Sequence, residues 1–146
     1  MKKLFFITII LLLQSFPSFG NPNGKGIICD FERERKDGYP FTVGFKFNDN
    51  KVEGSFIDQK NDEFYIERDT FSFFTTDKTI EWGSIDYRFE LDRKTLILKS
   101  IEKTTIFGYF QCEVHSEKIY LEKMIQLKNQ YQSKYNEKLK KLDNKI

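Results

Sequence analysis

The chain of 146 residues is long enough for one domain with a hydrophobic core, and its formal net charge is only +2. The charge is unevenly distributed, because residues 115–146 contain eight lysines against four carboxylates whereas residues 21–114 are acidic. An acidic body of this kind disfavours nucleic acid as a partner.

The first twenty residues have the pattern of an export signal. Lys2 and Lys3 precede an apolar run at residues 4–13, which is too short to span a bilayer comfortably but is typical of a signal peptide. Small residues at Ser18 and Gly20 suit signal peptidase, so we expect cleavage after Gly20. The residue immediately after that bond is Asn21 and not a cysteine, which disfavours a lipid anchor. The sequence therefore predicts an exported protein, periplasmic or extracellular, without membrane contact after cleavage.

Cys29 and Cys112 are the only cysteines. In an exported chain an even pair most often forms a disulfide, and we predict one here; two buried free thiols are the alternative. A crosslink over such a long loop is expected to stabilise the fold by about 4–5 kcal/mol, because it removes entropy from the unfolded chain.

After a flexible lead-in at residues 21–26, apolar residues recur with a period of two, as in half-buried strands. In residues 41–47 the apolar residues take every odd position, which predicts a strand with one face in a core, and the turn residues after them predict a hairpin with residues 51–57. Further strands are predicted at residues 63–68, around Phe71 and Phe73, and at residues 95–103 and 105–114.

The segment 79–91 changes the parity of its apolar positions. Ile80 and Trp82 lie on even positions, whereas the residues expected to face inward after Gly83 lie on odd ones. These odd-numbered residues are Ile85, Tyr87, Phe89 and Leu91. Either a β-bulge inserts one residue near Gly83, or a tight turn divides the segment into two strands. The pattern leaves both readings open.

Seven or eight short antiparallel strands with tight connections indicate a barrel or a sandwich. Cys29 on the first strand and Cys112 on the last each share a face with core residues, so a disulfide between them would close the meander. We therefore predict a mainly β fold: a seven- or eight-stranded antiparallel barrel-like domain over residues 27–114, followed by one long helix.

From residue 115 onward the apolar period changes to three or four. The stripe consists of Tyr120, Met124, Leu127, Tyr131, Tyr135, Leu139, Leu142 and Ile146. It predicts an amphipathic helix of about 27–30 residues and ~40–45 Å, capped by Ser116, which packs on the barrel and protrudes beyond it. Because the last two strands carry apolar residues on both faces, we expect the first half of the helix to cover Ile97, Phe107 and Tyr109.

The protruding half of the helix has two interpretations. It packs on its own barrel with a solvated lysine face, or Tyr131, Tyr135, Leu139 and Leu142 form a binding face for a second copy or another protein partner. Contact with an anionic membrane ranks third, because the apolar face lacks Trp and Phe.

The sequence offers no defensible catalytic, metal-binding or cofactor-binding constellation. His115 is the single histidine, and a lone histidine is a poor candidate for a metal ligand. The carboxylates fall in turns or at strand ends, and no glycine loop suits a phosphate. We therefore expect a protein that is not an enzyme and needs no cofactor or metal.

Phenylalanine is abundant, with 16 in the chain. Most of those after residue 20 lie at inward positions, where filling the core is the ordinary interpretation. An incompletely filled barrel would instead hold an apolar cavity for a small ligand, and Trp82 and Tyr87 are the candidates for its mouth.

Several local motifs can be compared with known proteins: the opening residues 27–31, residues 39–41, the turn at residues 91–96 and the closing residues 110–113. With the signal peptide, they resemble a loosely defined group of small exported β-rich proteins from AT-rich marine bacteria and their viruses, which implies no function. The architecture is also similar to that of the periplasmic inhibitors of C-type lysozyme, which are disulfide-bonded barrels without a long C-terminal helix. Such a likeness does not establish function.

These patterns favour an exported, non-enzymatic binding or interaction protein with an unknown partner. Two alternatives stay open: a carrier of a small apolar ligand in the barrel interior, and a periplasmic inhibitor of a cell-wall enzyme.

Overall fold

The computed structural model of the protein describes residues 19–34 and 39–143, so most of the predicted signal sequence lies outside the described residues. The strands are β1 (Lys25–Glu34), β2 (Pro40–Asn48), β3 (Lys51–Lys60), β4 (Glu63–Thr75), β5 (Thr79–Gly83), β6 (Tyr87–Asp92), β7 (Ile97–Glu102) and β8 (Thr105–Ser116). One helix, α1 (Glu117–Asp143), follows them.

The eight strands form a closed antiparallel barrel in which each strand pairs with its neighbours in sequence and β8 pairs with β1. Cys29 lies opposite Cys112 across the β1–β8 ladder, with 4.0 Å between their Cα atoms, and a disulfide joins them. The predicted barrel, the disulfide and the C-terminal helix are confirmed. Closure pairs the two strands that would otherwise be the edges of the sheet.

The middle of the barrel differs from the predicted strand pattern at β4 and at Ile85, and it decides between the two alternatives left open for the segment 79–91. The strands expected at residues 63–68 and around Phe71 are one continuous strand, β4. A tight turn divides the segment 79–91 into β5 and β6, and the main-chain N–H of Ser84 donates to the carbonyl of Tyr87 over 2.8 Å. Gly83 has a φ of 122°, which suits glycine. Ile85, expected to face inward, lies in this turn and is 96% exposed.

Aromatic side chains fill the barrel interior. We call this cluster the interior core, and its largest fully buried members are Phe19, Phe45, Phe47, Phe89 and Phe110. The ring centroid of Phe45 lies 4.8 Å from those of both Trp82 and Phe89, with edge-to-face geometry. Such contacts add to the free energy gained by burying the apolar surface.

A second core lies between the outer face of the barrel and α1. We call it the helix–barrel core; its buried members are Ile28, Tyr39, Ile57, Phe64, Tyr120, Met124 and Tyr131. Gly26 of β1 and Gly44 of β2 face this cluster and leave space for the side chains of Tyr120 and Met124. The helix is held at one end by Lys46, whose Nζ lies 3.5 Å from Glu117 Oε1.

The helix therefore does not cover the surface that the sequence predicted. Ile97, Phe107 and Tyr109, expected beneath its first half, are exposed. The helix packs against β1, β2, β4 and β8 instead. The physical reason is space, because Gly26 and Gly44 allow the helix to approach the sheet closely.

The contact between α1 and the barrel also extends further along the helix than expected and includes its second half. The ring centroid of Tyr131 lies 5.3 Å from that of Tyr39 and 5.8 Å from that of Phe64. The Tyr135 hydroxyl donates to a carboxylate oxygen of Asp62 in the β3–β4 turn. Tyr131 and Tyr135 are thus engaged within the chain, which corrects the expectation that they protrude. Ile146, the last member of the predicted stripe, lies outside the described residues.

Candidate functional site

The two residues expected at the mouth of a cavity belong to the packed barrel. Trp82 is only 2% exposed, and its ring stacks on Phe89 with 5.6 Å between centroids. Tyr87 is half-buried, and its hydroxyl accepts a hydrogen bond of 3.0 Å from Ser100 Oγ. Trp82 therefore lies inside the interior core rather than at an opening, which corrects the expectation for this residue.

Two leucines of the predicted partner-binding stripe remain accessible on α1. Leu139 and Leu142 are exposed, and both come after Tyr135, whose hydroxyl bonds Asp62. The exposed part of the predicted face is therefore short.

A larger apolar surface lies on the outside of the last two strands. We call it the β7–β8 face: Ile97 on β7, and Phe107 and Tyr109 on β8. Phe107 is 53% and Tyr109 is 51% exposed, and the Phe107 ring reaches Phe31 at the barrel end, 6.2 Å between centroids. Exposed aromatic side chains grouped in this way are characteristic of binding surfaces.

Charges beside the β7–β8 face are balanced. Lys99 of β7 donates to Glu90 of β6 over 2.7 Å, and both side chains are less than one-third exposed. Lys99 lies opposite Tyr109 in the β7–β8 ladder. The face thus combines apolar side chains with one neutralised ion pair.

A different polar feature occurs where β6 ends. The Arg93 side chain donates three hydrogen bonds to main-chain carbonyls: from Nε to Phe19 (2.9 Å), from Nη2 to Gly20 (3.1 Å) and from Nη1 to Thr76 (2.6 Å). The Arg93 carbonyl also accepts the main-chain N–H of Phe19 over 2.8 Å. Arg93 therefore bonds the main chain of both Phe19 and Gly20.

That segment places an aromatic ring in the barrel. Phe19 is 1% exposed, and its ring meets Phe47 edge to face with 5.5 Å between centroids. The Nζ of Lys25 lies 5.8 Å from the Phe19 centroid, within the range of a cation–π contact. We call the site formed by Phe47, Lys25 and Arg93 the Phe19 pocket.

The turn that carries Arg93 is held in shape by Asp92. The Asp92 Oδ1 accepts the main-chain N–H groups of Thr95 (2.7 Å) and Lys94 (2.9 Å). The hydrogen bond from Thr95 is the main reason that the pKa of the Asp92 carboxyl is lower than its usual value. Asp92 therefore positions Arg93 without touching the Phe19 pocket.

Sequence reasoning missed Phe19 and Arg93 for identifiable reasons. Phe19 lies inside the predicted signal sequence, and Arg93 lies in a segment that has the pattern of an ordinary turn. The available signal was the presence of an arginine in the predicted turn at residues 91–96.

The single histidine does not form a metal centre in the described part of the chain. His115 lies at the junction of β8 and α1, with Nε2 at 3.6 Å from Glu113 Oε2. Burial, followed by the charge of Lys123, lowers the pKa of the His115 imidazole. Within residues 19–34 and 39–143, no group of three or more His, Cys, Asp or Glu side chains is placed to hold a metal ion.

The geometry defines the protein as a small closed antiparallel β-barrel with one helix packed on its outside. No protein-family model, curated protein or solved structure matched the chain. The resemblance to small exported β-rich proteins and to lysozyme-inhibitor barrels therefore stays a prediction. No helix among the described residues is both long enough and apolar enough to cross a membrane.

Proposed function

We propose that this chain is an exported, non-enzymatic binding protein whose β7–β8 face forms an interface with a second copy of the chain. The observation that carries the proposal is the exposure of Phe107 and Tyr109, each by about half, on a face that the helix leaves uncovered. Burying such rings against a partner removes a large apolar surface from water.

Export is supported by two features. The N-terminal sequence has the signal pattern, and the Cys29–Cys112 disulfide is compatible with an oxidising compartment such as the periplasm or the extracellular space. An interface that works there must tolerate varying ionic conditions, which favours apolar contacts over exposed ion pairs.

A second copy is the occupant that best suits the charges of this face. Two-fold interfaces bring the same patch together from both subunits, so a patch with one sign of charge would repel itself. Here Lys99 and Glu90 neutralise each other beside Tyr109. Two copies of this apolar face can therefore meet without repulsion between like charges.

The mass of the assembly tests this proposal. We expect the oxidised protein to be a dimer by native mass spectrometry and by light scattering after size exclusion, and Phe107→Lys to make it monomeric while its circular dichroism spectrum stays that of the folded protein. The matched control is Leu142→Lys, which places the same charge on an exposed residue of α1 and should leave the dimer intact.

Two results would overturn the proposed interface. A wild-type protein that stays monomeric at the highest concentration reached would exclude self-association. Dissociation by Leu142→Lys but not by Phe107→Lys would show that the helix face expected from the sequence forms the interface instead.

The other functions considered have less support. A carrier that uses the barrel interior needs space, but Trp82 and the phenylalanines around it pack in direct contact there. Inhibition of a cell-wall enzyme stays a prediction, as does the absence of an enzymatic activity. An assay of wall-lytic enzymes with and without the protein tests the inhibitor hypothesis.

A further inference from the structure

We infer that the Phe19 pocket is a binding site for a small aromatic carboxylate, such as a short peptide ending near a phenylalanine, and that cleavage after Gly20 opens it. The inference goes beyond the proposed dimer and rests on the proposed export only for the cleavage. In the structure, Phe19 and Gly20 themselves show which chemical groups the pocket accepts.

The pocket recognises a phenyl ring followed by two main-chain carbonyls. Phe47 contacts the ring, while Arg93 meets the two carbonyl oxygens with Nε and Nη2. The Arg93 carbonyl accepts the N–H that precedes the ring. A ligand therefore needs an aromatic group, one donor and two acceptors in the order that a phenylalanyl-glycine unit provides.

Removal of Phe19 and Gly20 leaves this arrangement without its occupant. Phe47 is held from other sides, because its ring lies 5.3 Å from both Phe73 and Trp82, so the apolar wall is supported without Phe19. Arg93 keeps its bond to Thr76 but loses two of its three acceptors. Polar groups left without partners in a partly buried site favour a ligand that restores them.

The charges at the Gly20 position favour an anion. Arg93 bonds the Gly20 carbonyl, and cleavage adds the α-amino group of Asn21 next to the position that Gly20 occupied. A carboxylate in place of the Gly20 carbonyl would form a charge-assisted hydrogen bond with Arg93. The amide of the same ligand would lack that charge, so the acid should bind more tightly than the amide.

The experiment uses the oxidised protein purified after export, and its intact mass identifies the N-terminal residue. The probe is N-acetyl-phenylalanyl-glycine, titrated by calorimetry into the chain that begins at Asn21 and into a matched chain that retains Phe19 and Gly20. We expect saturable one-to-one binding only to the shorter chain. N-acetyl-alanyl-glycine and the amide of the probe should each bind at least tenfold more weakly.

Three variants locate the binding. Arg93→Gln should weaken binding of the probe at least tenfold, whereas Lys94→Gln, a change of the neighbouring exposed cation, should not affect it. Because Arg93 also bonds Thr76, its replacement can lower stability. Lys25→Gln leaves the main-chain bonds intact and should weaken the acid and the amide by the same factor, because Lys25 contacts the ring that the two ligands share.

The result that overturns the inference is a shorter chain that does not bind the probe, or equal binding by both chains. An exported protein whose mass retains Phe19 would also overturn it, because the pocket would then be filled by the chain itself. Neither result affects the proposed dimer, whose test depends on Phe107.

Discussion

Gly26 and Tyr120 form a matched pair across the β1–α1 interface, since a Cβ atom at Gly26 would lie 2.3 Å from Tyr120 Cγ. A methyl group at this position cannot be accommodated without moving the ring. Gly44 on β2 has the same relationship with the next turn of the helix, where its Cβ would lie 2.7 Å from Met124 Sδ. These two glycines determine where the helix can lie on the barrel.

Gly26→Ala should therefore destabilise the protein. Overpacking a tight core position typically costs about 1–3 kcal/mol, and here the displaced group is a buried tyrosine on a helix. Urea denaturation followed by circular dichroism measures the change. Ser133→Ala is the control, because Ser133 is an exposed residue of α1 and the change adds no atoms. Equal stability of the two variants would contradict this account of the interface.

The disulfide should contribute a large share of the stability. It connects residues 83 apart in sequence, and closing a loop of that size corresponds to about 4–5 kcal/mol in the chain-entropy model. We expect Cys29→Ala with Cys112→Ala to lower the free energy of unfolding by about this amount. Adding a reductant should destabilise the wild type but not the double variant, and a reductant effect on both would indicate another cause.

Much of the fold could be predicted from the sequence because it depends on local patterns. Alternation along the strands indicated the barrel, and the two cysteines identified the strands that close it. The tyrosine and methionine stripe indicated the helix, which has 27 residues. Each of these features is determined by apolar side chains or cysteines whose spacing can be read along the sequence.

The position of the helix and the candidate sites could not be predicted in the same way. The helix lies over Gly26 and Gly44, where side chains are absent, whereas the sequence argument searched for apolar side chains to cover. The burial of Phe19 could not be predicted because Phe19 lies between Ser18 and Gly20, which have the pattern of a signal-peptidase site, although its ring belongs to the interior core. In both cases the decisive contacts join residues far apart in sequence.

Tyr131 should matter to stability more than to association. Its ring is buried and contacts Tyr39 and Phe64, so Tyr131→Ala should cost about 3–5 kcal/mol by creating a cavity in the helix–barrel core. Leu142→Ala, also on α1 but exposed, should change stability by less than about 0.5 kcal/mol. Thermal unfolding of both variants provides the measurement, and similar melting temperatures would show that the far half of the helix does not pack on the barrel.

Stability should fall at alkaline pH because of Tyr120. Burial raises the pKa of this phenol to about 12, from about 10 in the unfolded chain, although the Ser55 hydroxyl acts in the opposite direction. Since the folded state disfavours the phenolate, this contribution is complete below pH 10 and is lost as the pH rises through 12. A shift of this size corresponds to on the order of 2–3 kcal/mol.

Tyr120→Phe isolates this effect from the lysines and the other tyrosines, which titrate in the same range. The variant keeps the ring over Gly26 but has no ionisable group, so its free energy of unfolding should decline less steeply between pH 10 and 12 than that of the wild type. Urea midpoints measured at several pH values give the two slopes. Parallel slopes would mean that the Tyr120 hydroxyl reaches water in the folded protein, and that the helix is less tightly seated on β1 and β2 than its contacts with Gly26 and Gly44 imply.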